Sequence, residues 1–347
     1  MDFRSDNVSS VSPEILDGLL RTNHGTSTSY GDDSLTHDVT ARLQEIFEHP
    51  VRFFPVLTGT AANALGLSII TPPYGGIYCS EDAHIYYDEC AAPEFYTGGA
   101  KLIGLPSVNG RFSQETVDVA VKKGFDNGVH HAKPSAISIT QATELGTVYS
   151  PGQIGEISNV SKKFGMYLHM DGARFANAVA SLNVSPAELT WKAGVDVLCF
   201  GATKNGALSA EGVLVFNKDI GEDLAYRVKR SGHLTSKSRF ISAQWLTYLS
   251  NDLWLKNARW ANKMAQRLST ELGRLPCAKI VYPTEANEVF VSVNNRTLEA
   301  LTSKGVKFSL WSAGETNVLR FVTSFNTPEA DVDACIRAFA ADTLIAS

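Results

Sequence analysis

The chain has 347 residues, 44% of them hydrophobic and 19% charged, an ordinary globular composition with enough apolar material for a sizeable core. Its formal net charge of −5 argues against nucleic acid or another polyanion as a partner. Five cysteines (Cys79, Cys90, Cys199, Cys277 and Cys335) include no CxxC pair. Neither a metal site nor a disulfide framework is therefore expected, and a reducing, cytoplasmic compartment is. The stretch Met1 to Asp6 is polar and lacks a signal-peptide core, and no apolar run is long enough to span a bilayer.

Ser12-Pro13-Glu14 reads as a helix start, with Ser12 as N-cap and Pro13 at the first helical position. Residues 23–33, rich in Thr, Ser, Gly and Asp, read as a loop that holds Tyr30-Gly31-Asp32-Asp33. A helix follows from Ser34, with Leu35, Val39, Leu43, Ile46 and Phe47 at helical spacing, and Pro50 stops it. Phe53 to Val56 is a short strand, and Leu57-Thr58-Gly59-Thr60-Ala61-Ala62-Asn63 opens the next helix. That opening is either a plain threonine cap or an anion site, since free N–H groups and the helix dipole both favour a phosphate.

Further strands are expected at Gly76 to Cys79, Lys101 to Leu105, Ala136 to Thr140, Met166 to Leu168, Val195 to Phe200 and Val213 to Phe216. Helices are expected over Pro151 to Phe164 and near Ser185 to Ala193. Short apolar strands alternating with helices imply a mostly parallel sheet flanked by helices, an α/β fold. Ligands bind such sheets beyond the carboxyl ends of the strands. Thr143, Glu144, Asp171, Arg174 and Lys204 all fall at such ends. Lys204 sits in a loop between Gly201 and Gly206, where its amine is placed to form a Schiff base. A lysine after one strand and Asp171 after another match the needs of pyridoxal phosphate: a Schiff-base lysine and an acid for the pyridine nitrogen. Ile241 to Gly273 reads as one long helical region linking to a smaller C-terminal α+β part, with strands at Ile280 to Tyr282, Val289 to Val291, Phe308 to Trp311 and Val318 to Val322.

The chain resembles the pyridoxal-phosphate threonine aldolases of the β-eliminating-lyase group, enzymes of fold type I. The likeness runs through Phe3-Arg4-Ser5-Asp6-Asn7, Tyr30-Gly31-Asp32-Asp33, Thr58 to Asn63, Ala83-His84, His169 to Arg174, Thr203-Lys204 and Leu319 to Val322. The resemblance implies that Lys204 carries the cofactor, Asp171 pairs with its ring nitrogen, His84 stacks on the ring and Gly59 and Thr60 hold the phosphate. It implies that Ser5, Arg174 and Arg320 bind the substrate carboxylate, with Tyr30 also at the substrate and Arg174 near the cofactor. Lys229 and Arg230 would lie near the phosphate of a neighbouring subunit in a dimer of dimers. Many family members carry histidine where this chain has Glu144. The β-hydroxyl is then expected to be handled by His84, with Glu144 as a supporting or alternative base. The implied reaction is retro-aldol cleavage of L-threonine, L-allo-threonine and other β-hydroxy-α-amino acids to glycine and an aldehyde. A phenylserine-type cleavage, β-elimination or transamination on the same scaffold stays open. The expected division is an N-terminal segment over 1–29, a large pyridoxal-phosphate domain over 30–245 and a small domain over 246–347.

Overall fold

The computed structural model describes residues 1–314 and 316–343; positions 315 and 344–347 of the expected small domain lie outside them. In chain order the first half runs α1 (Pro13–Thr22), α2 (Ser34–Phe47), β1 (Arg52–Val56), α3 (Gly59–Ser68), β2 (Gly75–Ser80), α4 (His84–Tyr87), α5 (Ala92–Thr97), β3 (Lys101–Leu105), α6 (Gln114–Asp126) and β4 (Lys133–Thr140). It continues through α7 (Pro151–Lys163), β5 (Tyr167–Gly172), α8 (Phe175–Leu182), β6 (Val197–Gly201), β7 (Glu211–Val215), α9 (Leu224–Arg230), α10 (Arg239–Leu249) and α11 (Leu253–Leu272). The last part holds β8 (Lys279–Ile280), β9 (Glu288–Val293), α12 (Asn295–Ser303), β10 (Ser309–Ser312), β11 (Asn317–Val322) and α13 (Glu329–Thr343).

Seven strands form one sheet in the order β1-β7-β6-β5-β4-β2-β3. All neighbours are parallel except β7, which runs antiparallel to both β1 and β6. Every residue of β6 and β7 is buried, as strands covered on both faces must be. Pro55 is accommodated because β1 lies at the sheet edge, where a missing N–H costs no ladder bond. Phe200 on β6 anchors an aromatic cluster with Phe175, Trp245, Tyr248 and Trp254, with ring centroids 5.0–6.3 Å apart.

The second sheet is antiparallel, in the order β10-β11-β9-β8. The first residues of the chain dock on it. The Phe3 N–H donates to Lys307 O, and the Val322 N–H donates to Phe3 O, both at 2.8 Å, while the Phe3 ring packs with Phe321. This docking carries Asp6 to the boundary between the sheets, beside Asn287.

Two expectations need correction. The helical region from Ile241 is broken at Ser250–Asp252, where Asn251 and Asp252 take positive φ. Both are residue types that tolerate the left-handed region, and the chain changes direction there. The stretch near Ser185 to Ala193 is turns ending in a short 3-10 segment at Trp191–Ala193. Pro186 and the cap formed by Ser185 on the Glu188 N–H start a turn that is not carried into an α-helix. No helix among the described residues is long and apolar enough to cross a membrane.

Candidate active site

A cavity of about 280 Å³ opens at the carboxyl edge of the large sheet. Six strands supply its wall, five by their carboxyl ends and one by its start. After β1 come Leu57 and Thr58 and, on α3, Gly59, Thr60 and Asn63; after β2 come His84, the first residue of α4, and Glu89 just beyond that helix. Thr140 and Glu144 come from the end of β4, and Asp171 and Arg174 from the end of β5. Thr203 and Lys204 follow β6. Because β7 runs backwards, its first residue, Glu211, arrives at the same edge.

The Asp171 carboxylate is buried and held on both oxygens. Oδ1 accepts the Ala173 N–H at 3.0 Å, and Oδ2 accepts the Asn63 side-chain amide at 2.8 Å. The same Asn63 amide nitrogen lies 2.8 Å from Glu89 Oε1, and His84 Nδ1 lies 2.9 Å from that oxygen. A continuous polar chain thus joins His84, Glu89, Asn63 and Asp171. Two residues before Asp171, the buried His169 ring lies between Ser138 Oγ and Cys199 Sγ. Burial there pushes its pKa down to about 4 and keeps it neutral at physiological pH.

Glu144 lines the cavity and pairs with no cation among the described residues. Its Oε1 accepts the His84 backbone N–H at 2.7 Å and the Thr140 hydroxyl at 2.9 Å, and its enclosed Oε2 has no partner. Burial, with the charge of Asp171 nearby, raises its pKa to about 7. Burial also raises Glu211 to about 7, against the opposing pull of Thr203 and Lys204. The Glu144 contact to His84 runs through the backbone; the imidazole itself belongs to Glu89.

The wall fits pyridoxal phosphate. Thr58 caps α3 by accepting the Ala61 N–H, so the N–H groups of Gly59 and Thr60 stay open at the helix start. A Cβ built on Gly59 would meet nothing within 4 Å, which leaves room for a phosphate against the backbone. Lys204 has no hydrogen-bond or ion-pair partner among the described residues, while four carboxyl groups (Glu89, Glu144, Asp171 and Glu211) share its cavity. A protonated pyridine nitrogen beside Asp171 would offset that excess of acid.

The sequence-derived site is partly assembled. Gly59, Thr60, His84, Glu144, Asp171, Arg174 and Lys204 meet in one cavity. Arg174 is buried, and its Nε and Nη2 donate to the Asp6 carboxylate at 2.8 and 3.0 Å. Burial would raise the Asp6 pKa, but Arg174, Lys204 and the hydrogen bond from Asn287 outweigh it and hold it below the ordinary value. Arg320 does not line the cavity; its Nε and Nη2 donate to the fully buried Glu288. Ser5 caps a short turn by accepting the Asn7 N–H, and Asn7 rather than Ser5 reaches the cavity wall. Tyr30 is half exposed and lies beneath Lys229 Nζ, 4.8 Å from the ring centroid. Arg230 lines a different cavity, with Arg227 and Phe95. Within one chain, then, Ser5, Tyr30, Lys229, Arg230 and Arg320 are not brought to the cavity.

Among the wall residues assigned no role from the sequence are Asn7, Asn63, Glu89 and Glu211, the first two within segments that carry the resemblance. The spacing of Glu89, five residues after His84, is the one local signal that could have found it. Glu211 carries no such signal, because its position depends on the reversal of β7.

The family model of the β-eliminating lyases matches residues 2–296. The chain belongs to the β-eliminating lyase family. Among relatives, it is 44% identical to the low specificity L-threonine aldolase of a Pseudomonas species (strain NCIMB 10558), over 95% of this chain and 94% of that one. It is 42% identical to the enzyme of the same name from Pseudomonas aeruginosa, over 94% and 93% of the two chains. The solved structure of Leishmania major threonine aldolase superposes with a TM-score of 0.91 at 25% identity, covering 100% of this chain and 99% of that one. The carboxyl-edge cavity of this β-eliminating lyase is therefore set in a scaffold matched along nearly its whole length.

Proposed function

We propose that this chain is a pyridoxal-phosphate-dependent aldehyde-lyase that cleaves L-threonine, L-allo-threonine and other β-hydroxy-α-amino acids to glycine and an aldehyde. The observation that carries this reading is the single cavity uniting Lys204, which has no partner among the described residues, with buried Asp171 and the open start of α3. The near-full-length identity to low specificity L-threonine aldolases supports it.

When bound, the cofactor supplies an electron sink for the pair released as Cα–Cβ breaks. Lys204 is the amine that holds it, and the N–H groups of Gly59 and Thr60 bind its phosphate. The Asp171 carboxylate would hold the ring nitrogen protonated, and His84 would lie against the ring. Arg174, on the cavity wall, binds the substrate carboxylate; Ser5 and Arg320, which lie off that wall, join it only when the substrate is bound, Arg320 by sharing its fork with a second carboxylate. His84 takes the β-hydroxyl proton, and Glu144 beside it serves as a supporting base. Tyr30, Lys229 and Arg230, which lie outside the cavity of their own chain, complete the site of a neighbouring subunit in a dimer of dimers. The five cysteines, with no CxxC pair among them, suit a reducing cytoplasm, which cell fractionation would read.

The test is product analysis on the cofactor-loaded protein. L-Threonine should give equimolar glycine and acetaldehyde, and Lys204→Ala should lose both the visible absorbance and the cleavage. A keto acid with ammonia would replace this reading by elimination, and a Lys204→Ala protein that kept its absorbance would move the attachment to another lysine.

A further inference from the structure

We propose that Glu89 is the positioning residue of the site: it fixes the tautomer and orientation of the His84 imidazole, leaving Nε2 free to take the substrate proton. The inference rests on the reading that His84 handles the β-hydroxyl.

The geometry carries it. Glu89 is almost fully buried, with 1% of its side chain exposed, yet it sits on the cavity wall. Its Oε1 receives two partners, the Asn63 amide at 2.8 Å and His84 Nδ1 at 2.9 Å, and its enclosed Oε2 receives none. Asn63 presents its amide nitrogen, which can only donate, to both Glu89 and Asp171. An ionised carboxylate can only accept, so the proton of a neutral His84 must lie on Nδ1. That leaves Nε2 as the basic nitrogen, and it makes no hydrogen bond among the described residues. When the substrate O–H bond breaks and the proton joins Nε2, the imidazole becomes a cation, and Glu89 is the anion in direct contact with it. The arrangement has the logic of a carboxylate–histidine pair, in which the acid orients the ring and stabilises its charge without taking the proton.

Other charged groups face the ring. Asp171 at the end of β5 favours the imidazolium, and Lys204 after β6 opposes it. Glu144, after β4, holds the His84 backbone N–H. The hydrogen bond to Glu89 is the strongest influence, ahead of the burial that opposes it, and His84 titrates above its ordinary value.

The experiment pairs two readouts on wild type, Glu89→Gln, His84→Asn and the double variant, all confirmed as folded oligomers. The first, on cofactor-free and cofactor-loaded protein, is the pH dependence of His84 carbethoxylation by diethylpyrocarbonate, followed by peptide mass spectrometry. This reagent reports the neutral imidazole. In Glu89→Gln the midpoint should fall, because the group that raises it has lost its charge. The second is kcat for threonine cleavage across pH. Glu89→Gln should lower kcat about ten-fold or more, within the roughly 10²–10⁴-fold that a general base contributes. Its acid limb should move to lower pH, in the same direction as the carbethoxylation midpoint. In the His84→Asn background, Glu89→Gln should cost little further. An unshifted carbethoxylation midpoint overturns the proposal. An undiminished cost in the His84→Asn background also overturns it, because Glu89 would then act through Asn63 and Asp171. A shifted midpoint with an unchanged kcat profile supports the hold of Glu89 on His84 and instead overturns the role of His84 in cleavage. Should Glu89→Gln fail to fold, Glu89→Asp serves: it keeps the charge and shortens the reach, and an unmoved midpoint and kcat there overturn the positioning role.

Discussion

Replacing Glu144 by glutamine should stabilise the cofactor-free protein at alkaline pH and flatten its pH dependence. Glu144 has an enclosed, unpartnered Oε2, and burial lifts its pKa from an ordinary 4.5 to about 7. A carboxyl raised on folding loses its proton first in the unfolded chain. Below pH 4.5 both states are protonated and the group costs nothing. As pH rises from about 4.5 through about 7 the cost of keeping it in the fold grows, and above that it is complete. At about 1.4 kcal/mol per unit, the full cost is on the order of 3 kcal/mol. Glutamine removes that charge but leaves a buried amide N–H facing the space at Oε2, a loss of about 1 kcal/mol. The net gain is about 2 kcal/mol. Unfolding entropy of about 2.1 cal/mol/K per residue converts this, for a chain of this length, to a rise in Tm of about 3 °C. The assay is thermal unfolding of the cofactor-free protein at pH 5 and pH 8, followed by circular dichroism. Glu144→Gln should match or fall slightly below wild type at pH 5 and exceed it at pH 8. A variant less stable than wild type at pH 8, by the same margin as at pH 5, would refute the reasoning, because Glu144 would then be ionised in the fold without penalty.

Asp171→Asn should fold and bind cofactor, since the amide can keep one contact to Asn63, yet turnover should fall at least about ten-fold, the factor for 1.4 kcal/mol of lost transition-state stabilisation. Near-normal turnover would remove Asp171 from the chemistry. Arg320→Ala leaves the buried Glu288, among the described residues, with only Arg174 nearby, at 3.7 Å, so it should destabilise the protein by about 3 kcal/mol and also raise KM for the amino acid. An unchanged Tm argues against the first part, and an unchanged KM against the second. Light scattering on dilute protein should find a homo-oligomer, and a fully active monomer would contradict sites completed by Tyr30, Lys229 and Arg230 of a neighbour.

The alternation of buried strands and helices, and the placement of Asp171, Arg174, Glu144 and Lys204 at strand ends, were legible in the sequence because they follow from local periodicity and from where apolar runs stop. The start of α3 was equally plain, since Thr58, Gly59 and Thr60 are a local cap. What the sequence could not decide depends on pairings between distant segments. Nothing in Glu211 to Val215 announces that this strand runs against its neighbours, yet that reversal alone brings Glu211 to the cavity. Asp6 and Glu288 reach the arginines through the docking of the first residues and of β9, separated from Arg174 by more than a hundred positions along the chain. The partner of the His84 ring was also a matter of packing. Glu144 and Glu89 are both carboxylates near it, and only the folded chain shows that one takes the backbone N–H and the other the imidazole. Local structure is written in neighbouring residues, whereas the charge state of a buried group is set by whatever the whole fold places within a few ångströms of it.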